Sequence, residues 1–239
     1  MRSSILLVSV VVWFWSNLMA SQTTTENLHA NWDSLLKIYV DDDGNVDYKN
    51  LKSCSPKIIS YLETLANNAP TSDWSKNEKL AFYINLYNAA TVKLILDNYP
   101  LKSIKNISRP WDKEWITIGN KVLSLGDIEH KILRKMQEPR IHFAINCASY
   151  SCPQLKNEAF VSSKVDSQLD EATRNFINDP KRNKITPKEV ELSEIFKWFK
   201  KDFTNKGTLI DFIKPYTLIK ITKQTHINYI TYNWSLNEK

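Results

Sequence analysis

Two histidines and two cysteines near the middle of the chain are the side chains best suited to covalent chemistry. They are His130, His142, Cys147 and Cys152. A cysteine thiol becomes a nucleophile when an imidazole accepts its proton, or when its surroundings lower its pKa. The acidic residues are dispersed, and the sequence contains neither a GxSxG elbow nor an HExxH zinc pair. These residue types therefore indicate thiol chemistry.

The two cysteines belong to the run from Arg140 to Gln154, which the pattern predicts to be a strand followed by a turn. Alternation over the first half of the run distributes its side chains between the two faces of a strand. Small polar residues and Pro153 then favour a turn that carries Cys147 and Cys152. The predicted faces hold Ile141, Phe143 and Ile145 on one side and His142, Ala144 and Asn146 on the other.

Three uses of these residues are compatible with the pattern. A cysteine-dependent hydrolase or transferase would pair Cys147 with His130 or His142. A non-enzymatic binding or structural module would join Cys147 to Cys152 in a disulfide around a short loop. A metal site would combine both histidines and both cysteines, which suits zinc, although the usual CxxC and HxxxH spacings are missing. We predict no metal and no cofactor.

His130 lies on a helix predicted over residues 124–136, together with Glu129 and Arg134. Arg134 follows His130 by four positions and so shares its face of the helix. Glu129 is adjacent in sequence, but its side chain is rotated by about 100° from that of His130. Asp127 and Leu133, three positions away on either side, share the face of His130 as well, whereas the direction of the Glu129 carboxylate is undetermined.

Asn85 is a further candidate because it is polar within the apolar run of a long helix predicted over residues 75–98. Ser75 and Glu78 form a capping-box pattern at the start of this helix. The Asn85 amide either holds neighbouring backbone groups or positions a catalytic side chain. Both alternatives are open on the sequence alone.

The overall composition excludes several classes of function. The net charge of +6 is modest, and the lysines are scattered among acidic residues instead of forming a basic stripe. Four glycines are few, and neither GxGxxG nor GxxxxGK[ST] occurs, which argues against a phosphate-binding loop. We therefore expect a small-molecule or peptide substrate and no nucleic-acid partner.

The N-terminal residues have the layout of a secretory signal peptide. Arg2 precedes an apolar run from Ile5 to Trp15, which is shorter than the roughly 20 residues of a membrane span. We therefore predict export to the periplasm or the exterior, with no membrane contact after cleavage. The predicted boundaries are a signal peptide over residues 1–20, a flexible lead-in over residues 21–30 and one domain over residues 31–239.

The remaining pattern predicts an α+β fold in a single domain, rich in helices and with a small, mostly antiparallel sheet. Amphipathic runs between proline and glycine breaks supply the helices, and short β-branched runs supply the strands. The main predicted helices cover residues 32–40, 57–67, 75–98 and 161–178, with shorter ones from residue 193 and over residues 208–213. The predicted strands lie in 46–48, 115–123, 184–192, 218–221 and 226–234.

Five motifs along the chain together resemble a known family. They occupy residues 81–90, 128–134, 141–153, 196–203 and 232–237. The most specific are His-Phe-Ala-Ile-Asn-Cys, ending at Cys147, and Ile-Glu-His-x-Ile-Leu-Arg, which contains His130. The sequence resembles the DUF547 family, a domain of unknown function. The last motif commonly carries an acid where this chain has Asn233, which argues against an orienting carboxylate at that position.

The resemblance implies Cys147 as the nucleophile and His130 as its base. Plant members of the family match these two positions but lack the cysteine at 152 and the histidine at 142. A disulfide between Cys147 and Cys152 is therefore not implied as the general purpose of the loop. The ingredients are similar to those of papain-like and transglutaminase-like thiol enzymes. A rearranged version of that fold is required, because the histidine precedes the cysteine here.

We therefore expect a hydrolase or acyltransferase that acts on amide or peptide-like bonds. Asp127, Glu129 or Asn85 would orient His130, and backbone N–H groups after Cys147 would stabilise the oxyanion. Three further side chains would line the site: His142, Cys152 and Arg134. The alternative is a binding or structural module in which the cysteine loop is only well packed.

Overall fold

Helices dominate the first half of the computed structural model, which describes residues 27–239. Helix α1 covers Ala30–Tyr39, α2 Tyr48–Leu51, α3 Ser55–Asn67 and α4 Lys76–Asn98. Ser75 caps α4 in a capping box with Glu78, as the sequence predicts. The prediction of a strand at 46–48 is wrong beyond Val46. Val46 forms an isolated β-bridge, and Asp47 caps the short helix α2.

Two small sheets accompany the helices, and the helix-rich α+β prediction is confirmed. Strands β1 (Ile116–Ile118) and β2 (Lys121–Leu123) form a hairpin. Strands β3 (Lys184–Ile185), β4 (Glu189–Ser193) and β5 (His226–Ile230) form the second sheet. Two of the three strand pairings are antiparallel, and the pairing of β4 with β5 is parallel. The strand expected at 218–221 does not form. The remaining helices are α5 (Val165–Asn178), α6 (Ile195–Trp198), α7 (Lys200–Phe203) and α8 (Leu209–Ile213).

The buried apolar residues form two cores. The first core joins α1, α3 and α4, and the second joins β4 to helices α6, α7 and α8. Helix α5 contributes to both, because Leu169 lies in the first core and Phe176 in the second. The residues that lead to Cys147 pass between the two cores.

The strand predicted before Cys147 is wrong. Residues Pro139–Phe143 form a 3-10 helix instead. Ile141 packs in the first core and Phe143 in the second, and all side chains from 141 to 146 are buried. The apolar alternation therefore reflects two cores on opposite sides of the segment. A strand also needs a partner for its backbone groups, and these residues pair with none of the five strands.

The helix that carries His130 is irregular. The sequence predicts an α-helix, but Asp127–Ile132 is a π-helix and Leu133–Met136 is a 3-10 helix. Ser124 and Asp127 exchange hydrogen bonds at its start and so form a capping box. π-turns are uncommon and occur frequently at functional sites.

The predicted signal peptide and residues 21–26 of the predicted lead-in lie outside the described residues. Residues 27–30 lie within them, and there His29 is buried and its Nδ1 is 2.6 Å from the Tyr61 hydroxyl. Between residues 27 and 239, no helix combines the length and the apolar character needed to cross a membrane.

Candidate active site

A cleft of about 270 Å³ lies where the two cores meet, and most of the predicted site residues line it. Cys147 and Cys152 lie in its wall with His142, and Glu129 and His130 reach it from the π-helix. These five side chains come from two segments, the π-helix and the run from Arg140 to Gln154. Arg134 and Asn85 do not line this cleft.

The Cys147 sulfur is surrounded by hydrogen-bonding groups. Its Sγ lies 3.0 Å from Cys152 Sγ, 3.3 Å from the Tyr232 hydroxyl and 3.5 Å from Ser149 Oγ. All three cysteines are free, so the two sulfurs in the cleft are neighbouring thiols and not a disulfide. In the thiolate form, Cys147 accepts hydrogen bonds from these three groups.

The surroundings lower the pKa of Cys147 to about 7 from an ordinary value of 9.0. The hydrogen bond from Cys152 makes the largest contribution, burial opposes it, and Ser149 and Tyr232 lower the pKa further. Cys152 has the opposite shift, because burial and the neighbouring Cys147 sulfur raise its pKa well above the ordinary range. At neutral pH the negative charge of the pair therefore resides on Cys147.

The backbone around Cys147 is shaped by a left-handed residue and two asparagines. Ala148 has a φ of 58°, which turns the chain sharply after the cysteine. The Asn146 side chain accepts from Ala148 N–H at 2.8 Å and donates to the Pro153 carbonyl at 2.7 Å. Asn88 accepts from Asn146 N–H and donates to the Ala144 carbonyl. Helix α4 therefore holds the cysteine loop in place.

The end of the chain supports the other side of this loop. Tyr150 N–H donates to the Ser235 carbonyl at 2.7 Å, and the Asn237 N–H donates to the Ala148 carbonyl at 3.2 Å. The Asn233 side chain accepts from Ser235 and so shapes this segment from within. The final predicted motif therefore holds the loop and places Tyr232 against Cys147.

The backbone N–H groups around Cys147 already have partners. Cys147 N–H donates to Cys152 Sγ at 2.9 Å, and Ala148 N–H donates to the Asn146 side chain. The Ser149 N–H, two residues after Cys147, donates to the Cys147 sulfur and lowers its pKa. Of the backbone groups predicted to bind an oxyanion, the Ala148 N–H is therefore used within the loop, and the Ser149 N–H points to the nucleophile.

Glu129 is a buried carboxyl group whose charge interacts with Cys147. Burial, followed by repulsion from the Cys147 thiolate, raises its pKa to about 7 from 4.5. The Tyr87 hydroxyl donates to the Glu129 carboxyl, and the Trp111 indole donates in turn to Tyr87. Glu129 can therefore both give and take a proton near neutral pH.

His130 stands at the exposed edge of the cleft, with about half of its side chain accessible. An Arg134 N–H donates to its Nδ1 at 3.3 Å, and because a guanidinium only donates, the neutral ring carries its proton on Nε2. Burial and Arg134 lower the His130 pKa, so the imidazole is neutral at pH 7. Its Glu129 neighbour is 4.0 Å away, beyond hydrogen-bond distance.

His142 is enclosed and is held by an acid that the sequence did not indicate. Its Nε2 is 2.8 Å from Asp202 Oδ2, and its ring stacks on Phe199 with centroids 3.9 Å apart. The same Asp202 accepts two hydrogen bonds from Arg134. Although burial raises the Asp202 pKa, hydrogen bonds from His142 and Arg134 hold it well below the usual range. Asp202 therefore fixes both basic side chains behind the cleft.

Asn85 holds the backbone rather than a substrate. Its amide donates to the Phe160 carbonyl at 2.7 Å and accepts from Phe160 N–H at 3.0 Å. Both halves of the amide are thereby used away from the cleft. No group of three or more possible metal ligands is found among the described residues.

Aromatic side chains form the walls of the cleft, a role that their positions in the sequence do not indicate. Trp198 and Trp234 stack with ring centroids 5.7 Å apart, and Trp111 meets Trp234 edge to face. Trp198 is 43% exposed, which is unusual for so large an apolar side chain. Spacing alone could suggest only core packing, because these rings come from separate segments.

The sequence was compared with models of known protein families. Residues 71–177 match the family model for DUF547, described as a protein of unknown function. Over these residues the chain is similar to the DUF547 family. No curated protein and no solved structure matches the chain significantly.

The DUF547 match confirms the predicted resemblance over those residues. It contains the cysteine loop, the π-helix and the helix α4 anchors. Asp202, which holds His142, lies beyond the matched residues, as do five residues that line the cleft: Ile195, Trp198, Phe199, Tyr232 and Trp234. The site thus combines a family segment with supporting groups from the C-terminal part of the chain.

Proposed function

We propose that the protein is a cysteine-dependent hydrolase or acyltransferase that acts on amide or peptide-like bonds. The observation that carries this proposal is the position of the Cys147 sulfur in the cleft wall, with three hydrogen-bond donors around it. Such an environment stabilises the thiolate, which is the nucleophilic form of cysteine. With its pKa near 7, about half of the Cys147 side chains are ionised at neutral pH.

In the proposed acyl transfer, Glu129 gives and takes the protons, and His130 stabilises the developing negative charge. The Cys147 thiolate attacks the substrate carbonyl, and His130 donates a hydrogen bond from Nε2 to the carbonyl oxygen as negative charge develops there. Glu129 in its acid form protonates the leaving amine. As a carboxylate, Glu129 then accepts a proton from the water or acceptor that cleaves the thioester. The Glu129 pKa of about 7 suits both steps.

The cleft walls favour a substrate with an apolar or flat group next to the scissile bond. Trp111, Trp198 and Trp234 offer ring surfaces, and the cleft is more apolar than polar. Stacking on such rings contributes to binding beyond simple area burial. The ordering of the reacting groups differs from papain-like enzymes, and any kinship with them is part of this proposal.

The proposed site of action is outside the cytoplasm. Arg2 and the apolar run from Ile5 to Trp15 support removal of the first 20 or so residues on export. Cell fractionation and sequencing of the mature N-terminus test this. A full-length product retained in the cytoplasm would contradict it.

Trapping of a covalent intermediate tests the catalytic proposal. We expect activated nitrophenyl esters with aromatic acyl groups to acylate Cys147, as shown by intact mass and peptide mapping, and Cys147→Ala to remove the adduct. Glu129→Gln and His130→Ala should slow turnover while Cys147 still alkylates readily. Circular dichroism confirms that each variant is folded.

Cys54 provides the matched control within the same molecule. It lies outside the cleft, 3.1 Å from the Tyr39 hydroxyl, and lacks the three donors of Cys147. Acylation that is no faster at Cys147 than at Cys54 would refute the assignment. The cysteine loop would then be a packed structural element of a binding module.

A further inference from the structure

Cys147 and Cys152 form an asymmetric pair of thiols. The two sulfurs are 3.0 Å apart, Cys147 is partly exposed in the cleft, and Cys152 is only 4% exposed. A reagent that enters the cleft therefore meets Cys147 first. The buried sulfur lies within reach of whatever becomes attached to Cys147.

One contact at Cys152 has no role in acyl transfer. The Cys147 N–H donates to Cys152 Sγ at 2.9 Å, and hydrogen bonds from this N–H and from Tyr232 both lower the Cys152 pKa. A backbone donor aimed at a buried sulfur stabilises a thiolate there. In the resting protein this effect is outweighed by burial and by the neighbouring Cys147 sulfur.

We propose that Cys147 and Cys152 act as a dithiol that reduces small aromatic disulfides entering the cleft. The Cys147 thiolate attacks one sulfur of the disulfide R–S–S–R, forms a mixed disulfide with it, and releases R–S⁻. Cys152 then loses its proton to the released thiolate or to water. Its sulfur attacks Cys147 Sγ and expels the second R–S⁻. Two cysteine thiols are thereby oxidised to one disulfide, and R–S–S–R is reduced to two thiols.

The arrangement favours the second step once the first has occurred. Attachment of R–S to Cys147 removes the negative charge that raises the Cys152 pKa, whereas the donors at Cys152 remain. The attacking and attacked sulfurs are already neighbours, so closure is intramolecular and needs little movement. The aromatic walls of the cleft match an aromatic disulfide.

Oxidation has a consequence for the proposed acyl transfer. In the oxidised form Cys147 is no longer a thiolate, so the nucleophile is absent until an external dithiol reduces the bond. This consequence rests on the proposed function. The exchange chemistry does not, because it requires only the two sulfurs and their donors.

Dithiodipyridine is a suitable probe, because each exchange releases a thiopyridone that absorbs light. In the Cys54→Ala protein we expect two thiopyridones per chain, a mass two hydrogens lower than before, and complete reversal by dithiothreitol. With Cys152→Ser added, we expect one thiopyridone and a stable mixed disulfide on Cys147. With Cys147→Ser added instead, release should be at least tenfold slower, because the remaining thiol is buried.

Two results would overturn the proposal. One is a mixed disulfide on Cys147 that persists in the Cys54→Ala protein, which would show that Cys152 does not attack. The other is a reagent adduct on each cysteine, which also releases two thiopyridones but adds mass. Alkylation and ester acylation of Cys147 are measured separately, so failure of the exchange is distinguishable from failure of the hydrolase or acyltransferase activity.

Discussion

Replacement of Cys152 by alanine should slow the alkylation of Cys147 at neutral pH and accelerate it at high pH. The hydrogen bond from Cys152 is the largest influence that lowers the Cys147 pKa. Without it, burial is opposed only by the weaker contributions of Ser149 and Tyr232. We therefore expect the Cys147 pKa to rise from about 7 towards its ordinary value of 9.0.

The size of the effect follows from ionisation and nucleophilicity together. For a full rise to 9.0, the thiolate fraction at pH 7 would fall from about one half to about 1%, a decrease of about 50-fold. A thiolate of higher pKa is intrinsically more reactive, with a Brønsted slope of about 0.4–0.5, which recovers about 6- to 10-fold. Alkylation should therefore be about 5- to 8-fold slower at pH 7 and about 6- to 9-fold faster at pH 10.

Iodoacetamide labelling between pH 5 and pH 10, followed by peptide mapping, measures both effects. Cys54 in the same samples serves as the control, and its profile should not change. Cys152→Ser retains a hydroxyl donor and should restore part of the low pKa. Parallel profiles for the alanine variant and the parent protein, without a crossing point, would show that Cys152 does not set the Cys147 pKa.

Three further predictions concern stability. Glu129→Gln should raise the free energy of unfolding by up to about 3 kcal/mol at pH 8 and by little at pH 4.5. The pKa of Glu129 is about 7 in the folded protein and 4.5 ordinarily, so the carboxyl group of the parent protein destabilises the fold as the pH rises through this range. Urea titrations at both pH values measure the difference, and an equal gain at both would contradict the linkage. Asp202→Ala should lower the free energy of unfolding by about 1–3 kcal/mol, because the buried His142 imidazole and the Arg134 guanidinium lose their carboxylate partner. The exposed Asp170→Ala should lower it by less than about 0.5 kcal/mol. Equal losses of stability in thermal denaturation would refute this prediction. Asn88→Ala should lower the free energy of unfolding by at least about 2 kcal/mol, because two buried backbone groups lose their hydrogen-bond partner. The exposed Asn98→Ala, at the end of the same helix, should leave the free energy of unfolding nearly unchanged. A loss below about 1 kcal/mol for Asn88→Ala would contradict its anchoring role.

Local sequence signals predicted the regular parts of the fold well. The capping box at Ser75 and Glu78, the amphipathic run of α4 and the hairpin of β1 and β2 all depend on residues close in sequence. The segment before Cys147 was mispredicted because its alternation came from two cores that the chain builds from distant residues. Periodicity records burial, but it does not record what lies on each side.

The reactive residues of the candidate site were predictable from the sequence, but their partners from distant segments were not. Residue types identified Cys147, Cys152 and His130, and the structure places all three at one cleft. Asp202 and Tyr232 lie in the motifs at 196–203 and 232–237, but their roles were missed because nothing in those motifs shows that they pack against His142 and Cys147. The direction of the hydrogen bond at His130 was likewise beyond the sequence, since it depends on where the Arg134 guanidinium comes to rest.

The π-helix at Asp127–Ile132 has a consequence for changes in chain length. A π-turn is equivalent to an α-helix that has accepted one additional residue. Deletion of the exposed Lys131 would allow an ordinary α-helix to form while removing no side chain from the cleft. It would nevertheless rotate Glu129 and His130 relative to the following turn. At this position the number of residues, and not only their identity, carries information about the site.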